Sequence, residues 1–169
     1  MRGTHNRNMA LNRPPRKQVV RTVGKLRALS TSDKWLIFKV SIILPLVEGG
    51  LMLLGLRVVA RFLASSATPA AVPLESSSEV ERQARLLSMV VHRHPLAGKC
   101  LSRSLTLWWC LRQTGIASEV RLGVRKDGSQ LRGHAWVEYQ GQPVAESPGV
   151  RERYALLVDP PLRDLIWSA

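Results

Sequence analysis

HRHPLAGKCLSRSLTLWWCLRQTG (residues 92–115) runs directly into IASEVRLGVRKDGSQLRGHAWVEYQGQPVAE (residues 116–146), and the pattern changes character at the junction. In the first piece, Pro95 and Gly98 favour a loop that delivers the chain into a helix at or near Cys100. Leu101, Leu105, Trp108 and Leu111 define an apolar helical face, and Gly115 can end it. The second piece breaks into short β-rich runs separated by polar or glycine turns. Val120–Val124 and His134–Glu138 predict adjacent strands joined around Lys126-Asp127-Gly128, and Gln140-Gly141 predicts another reversal. A helix followed by a small antiparallel sheet reads as an α+β domain.

The same pattern places three reactive side chains. Cys100 falls in the first turn of its helix, where exposed backbone N–H groups and the positive end of the helix dipole stabilise a thiolate. His134 is expected at the start of a strand and Glu146 just beyond the next short strand, so antiparallel pairing can bring them together. Cys100 then reads as nucleophile, His134 as its imidazolium partner and proton donor to the leaving group, and Glu146 as the acid that orients the imidazole. Asp159, at the end of the strand-like run LLVDPP, is the reserve for the third role, and Asp127 in its turn ranks lower. The Cys100 backbone N–H is one donor for an oxyanion. A packed thiol, a histidine satisfying one hydrogen bond and a solvated strand-end acid compete as readings of the same residues. Cys110, Trp108 and Trp109 suit core or groove packing, and His92 and His94 suit loop structure.

Charge is distributed unevenly over the 169 residues. Residues 1–64 carry 12 basic and 2 acidic side chains, net +10, and residues 65–169 carry 13 and 10, net +3. Residues 1–18 read as a basic flexible arm broken by Pro14 and Pro15, and 19–64 as an apolar and basic helical segment. Ser30 to Asp33 supply capping side chains, and Pro45 with Gly49 and Gly50 predicts a break before a second helix over Leu51–Ala64. Residues 65–78, rich in Ser and Pro, predict a linker, and 79–169 the catalytic domain. A helix is expected from Ser78, with Glu81 completing a capping box, and should end before His94-Pro95.

Residues 35–56 are apolar enough to raise three readings: a membrane span, peripheral membrane contact, or packing against the catalytic domain or a partner. The basic front lacks a nucleic-acid-binding module, so no specific nucleic acid is expected. Two cysteines, roughly 15 Å apart along one helix, make no disulfide framework and fit a reducing compartment. No secretory signal peptide is read at the start. The Cys and His spacings suggest no zinc site, and neither a phosphate-binding loop nor a dinucleotide fingerprint occurs, so no cofactor or metal is expected.

KCLSRSLTLWWCLRQTGIASEVRLGVRK (99–126) followed by LRGHAWVEYQGQPVAE (131–146) resembles the catalytic part of the lasso-peptide biosynthesis leader peptidases, the "B" proteins. The resemblance covers about residues 80–161, and the apolar stretch at 20–64 is similar to the front of their stand-alone forms. It implies a papain/transglutaminase-like cysteine protease core with a helical N-terminal extension. It places the nucleophile on Cys100, the histidine on His134 and the acid on Glu146, where the family's usual residue is aspartate. It further implies a cytoplasmic enzyme, and leaves open whether that enzyme is also associated with a membrane. Its partners would be a precursor peptide, a separate leader-recognition protein and a lasso macrocyclase. Two other functions compete: a non-catalytic basic adaptor of a peptide-maturation or membrane complex, and an acyl-transferring transglutaminase.

Overall fold

The structure is a computed structural model and describes residues 29–66, 77–92, 99–147 and 149–157. Asp159, His94, the whole basic arm and most of the expected linker lie outside the described residues. The chain divides into two compact units, Met1–Lys34 and Trp35–Ala169. In the first, the Ser30 hydroxyl accepts from the Asp33 N–H at 3.1 Å while the Asp33 carboxylate accepts from the Ser30 N–H at 3.2 Å. This reciprocal cap starts helix α1, Thr31–Leu53.

Helix α1 does not break where the sequence suggested. It continues through Pro45, Gly49 and Gly50 and ends at Leu53, and the second helix, α2, spans Gly55–Ser65. Proline in a helix costs about 3 kcal/mol. Burying Val40, Leu44 and Val47 along one side of α1 outweighs that at about 1.5–3 kcal/mol each. The turn instead falls at Gly55, whose φ of +79° is left-handed and unfavourable for any residue with a Cβ.

Helix α2 buries Val59, Ala60 and Leu63 in the same core. Helix α3, Ser77–Val91, adds Val80, Ala84, Leu87 and Val90, and helix α4, Cys100–Gln113, adds Leu105, Trp108 and Leu111. Glu81 does not form the expected capping box, because the helix starts one residue earlier and its carboxylate reaches Arg85 at 3.4 Å. Polar contacts fasten α4 to its surroundings. The Trp109 indole donates to the Ser66 hydroxyl at 3.0 Å, and the Trp108 indole to the Ser118 carbonyl at 3.0 Å.

Strands β1 (Glu119–Asp127), β2 (Gln130–Tyr139), β3 (Gln142–Val144) and β4 (Ala155–Leu156) form an antiparallel sheet in the order β3-β2-β1-β4. Val120 pairs with Val137, Gly123 with His134, and Val137 with Val144. The β2–β3 reversal occurs at Gln140-Gly141 as the sequence predicts, with both residues at positive φ. Alternation then sorts β2. Ala135 and Val137 share one face, while His134, Trp136 and Glu138 share the other. A short helix, α5 (Val150–Arg153), leads into β4 and brings Tyr154 and Arg151 to that second face. The architecture is α+β, helices packed with an antiparallel sheet.

Candidate active site

Cys100 is the first residue of α4, and Lys99 before it is extended and forms no side-chain cap. The N–H groups of a helix's first turn have no intrahelical partner, so this end presents a positive dipole beside the thiol. Lys99 reaches back to the buried Glu48 of α1 at 3.4 Å, which ties that helix to the start of α4. One turn further along, the buried Ser104 hydroxyl donates to the Ala135 carbonyl at 2.9 Å. That bond fixes α4 against β2 at the residue next to His134, setting the register between the thiol-bearing helix and the imidazole-bearing strand.

His134 lies in the middle of β2, not at its start, because the β1–β2 ladder continues down to the Asp127–Gln130 pair. Its Nε2 is 3.2 Å from the Glu146 carboxylate. The backbone turns at Ala145, which follows β3 and takes a left-handed φ of 54°, and this turn directs Glu146 back toward the imidazole. A carboxylate accepts, so the neutral ring carries its proton on Nε2 and leaves Nδ1 with a lone pair to take a thiol proton. Behind the ring stand two aromatics: Tyr154 at 5.0 Å and Trp136 at 6.1 Å between centroids.

This aromatic backing is itself fixed. The Trp136 indole donates to Glu138 at 2.9 Å, and Arg151 and Arg121 donate to the same carboxylate at 2.8 and 3.2 Å. Burial alone would push the Glu138 carboxyl up. The hydrogen bonds from Trp136 and Arg151 and the charges of Arg151 and Arg121 more than offset that and hold it below the usual carboxylate range. Gly123, opposite His134, leaves the space for the two rings: a Cβ there would stand 2.8 Å from the Tyr154 Cβ and 2.9 Å from the Trp136 ring.

Cys100, Arg103, His134, Val144 and Glu146, together with Ser88 of α3, line one cleft of about 40 Å³. The three residues named from the sequence therefore meet in one place. Asp127 does not join them; it sits at the hairpin tip, 2.6 Å from Arg132. Cys110 is buried in the core, and loss of hydration pushes its thiol up to about 12, only partly countered by the charge of Lys39. It is therefore an unreactive thiol at neutral pH. His92 is exposed and bonds the Ser88 carbonyl at 2.7 Å. Arg103 and Ser104 were not singled out from the sequence, although spacings of three and four from Cys100 put them on its helix face. Tyr154 carried no such signal, since only the fold brings β4 beside β1.

A thiol at a helix N-terminus, an imidazole and a carboxylate in one cleft suit acyl transfer through a thioester. Residues 49–159, well over half of the chain, match the family model of the transglutaminase-like superfamily. The chain belongs to this superfamily. Its members are generally enzymes, cysteine proteases or acyl-transferring transglutaminases. The superfamily match begins inside α1 and takes in α2, ahead of residue 79 where the sequence reading opened the catalytic domain. No curated protein and no solved structure matches the chain. Among the described residues, no group of three or more His, Cys, Asp or Glu side chains could hold a metal ion.

Proposed function

We propose that the protein is a cysteine peptidase that removes the leader from a ribosomally made lasso-peptide precursor. The observation that carries the peptidase reading is the imidazole of His134, held through Nε2 by Glu146 in the cleft that Cys100 lines. The substrate class rests on the resemblance of residues 99–126 and 131–146 to lasso leader peptidases.

The Cys100 thiol gives its proton to His134 Nδ1, and the thiolate attacks the carbonyl of the last leader residue. Glu146 offsets the charge of the imidazolium that forms. Collapse of the tetrahedral adduct breaks the C–N bond, and the imidazolium protonates the departing core amine. The leader is left as a thioester on Cys100. Water, deprotonated by His134, then attacks this thioester, releasing the leader carboxylate and restoring the thiol. The freed amine is the group a separate macrocyclase needs. The reading therefore includes a separate leader-recognition protein and that macrocyclase as partners, in the cytoplasm where the precursor is made.

The test is mass spectrometry of a precursor peptide incubated with the chain and its recognition partner, for the wild type and for Cys100→Ala. The expected products are leader and core whose summed mass exceeds the precursor by one water, with none formed by the Cys100→Ala protein. Loss of ammonia with joining of side chains would identify a transglutaminase instead. Undiminished cleavage by Cys100→Ala would overturn the nucleophile.

A further inference from the structure

On helix α1, Trp35, Phe38, Ile42 and Leu46 are all exposed, and their spacing puts them within one arc of the helix. The opposite side carries Val40, Leu44 and Val47, which are buried in the core. Helix α2 repeats the arrangement: Val58 and Phe62 are exposed while Val59, Ala60 and Leu63 are buried. The end of α1 and the turn after it, residues 52–54, are also apolar and exposed. Nine large apolar side chains are thus exposed along these two consecutive helices and the turn that joins them, more apolar surface than soluble proteins commonly leave to water.

We propose that the exposed apolar stripes of α1 and α2 dock the protein on an anionic lipid bilayer, lying in the interface and not crossing it. Three observations select that occupant. First, α1 has the length and hydropathy of a span, 23 residues at 1.9, but its inner side is committed to the core and its Glu48 is paired with Lys99. Crossing would require pulling these contacts apart and carrying the carboxylate into hydrocarbon. Second, exposed Arg57 and Arg61 border the Val58–Phe62 stripe, and residues 1–28, joined to the start of this region, contain eight Lys and Arg and no Asp or Glu. Cations flanking an apolar face are what an anionic headgroup layer attracts. Third, the exposed Trp35 stacks with Phe38 at 5.6 Å, an aromatic pair suited to the headgroup level. A second copy is disfavoured as the occupant because it would set one +10 region against another.

The test is flotation of the full chain with vesicles of mixed phosphatidylglycerol and phosphatidylcholine, and with phosphatidylcholine alone. Binding is expected to the anionic vesicles, to weaken as salt rises, and to be much lower on the neutral ones. Two double variants, Phe38→Glu/Leu46→Glu and Val58→Glu/Phe62→Glu, should each weaken partitioning about tenfold or more, since each removes two apolar side chains from the layer. Circular dichroism checks that each variant keeps its helices; should one not, the other decides. Failure of the wild type to float, or equal flotation of the folded variants, would overturn the proposal. So would a wild-type dimer that both variants convert to monomer without vesicle binding, since a second copy would then cover the face. No precursor enters this assay, so its outcome is separate from that of the peptidase reading.

Discussion

Replacing Glu146 with glutamine keeps an acceptor oxygen within reach of His134 Nε2 but removes the charge. At the observed 3.2 Å, a unit charge pair is worth about 1.3 kcal/mol in bulk water and about 5 kcal/mol at an effective dielectric of ~20. Both side chains are 22% exposed, which places the pair in the lower half of that range. A loss of about 2–3 kcal/mol of imidazolium stabilisation slows the chemical step by roughly 30- to 150-fold. The decrease should fall on kcat and leave KM nearly unchanged, because the charge acts on the imidazolium and not on bound substrate. Single-turnover cleavage of the precursor measures the effect directly. Alkylation by iodoacetamide, read by mass, gives a substrate-free check: Cys100 of the variant should react more slowly than in the wild type, while Cys110 reacts in neither until the protein is unfolded. A folded Glu146→Gln protein that cleaves within threefold of the wild-type rate would refute the orienting role and transfer it to another acid, Asp159 first.

Two further perturbations address the support behind the imidazole. Gly123→Ala would put a Cβ 2.8 Å from the Tyr154 Cβ, forcing either that residue or Trp136 to shift. The expected cost is about 1–3 kcal/mol, seen as a fall in Tm of roughly 3–10 °C together with slower Cys100 chemistry; unchanged Tm and rate would show that the rings do not back His134. Glu138→Gln removes the charge that Arg151 and Arg121 face at 2.8 and 3.2 Å, while Arg121 keeps Glu119 at 2.9 Å, and should destabilise the fold by about 1–3 kcal/mol at pH 7. Because the folded Glu138 carboxyl lies below its unfolded value, its contribution is complete above the ordinary glutamate pKa of about 4.3 and fades as pH falls through the folded value. Urea titrations from pH 7 downward should therefore show the gap between wild type and variant constant to about pH 5 and closing below about pH 4. A gap independent of pH would disprove this account.

Local chemistry made much of the back half readable. Alternation in Val120–Val124 and His134–Glu138 and the reversal at Gln140-Gly141 depend on neighbouring residues only, and strands and a turn form there, although β2 begins at Gln130, four residues before His134. The meeting of His134 and Glu146 followed from the same logic, since two strands joined by a two-residue turn must lie side by side. The front half was less readable. A proline and paired glycines are local signals for a break, and they mispredicted α1 because the burial of Val40, Leu44 and Val47 is a tertiary contribution larger than the local cost of Pro45.

By itself, then, the sequence determined which side chains had the chemistry, that a helix starts at Cys100 and an antiparallel strand pair with a reversal at Gln140-Gly141 follows it, and that the positive charge is concentrated ahead of them. Only the tertiary structure decided that Ser104 locks α4 onto β2, that Ala145 turns Glu146 back to the imidazole, and that Tyr154 and Trp136 stand behind it. It also decided which sides of α1 and α2 are covered and which are left outward. The division has one physical cause. Hydrogen-bond periodicity and turn preference act over a few residues, whereas packing and ion pairing join segments tens of residues apart, and no local pattern carries their geometry.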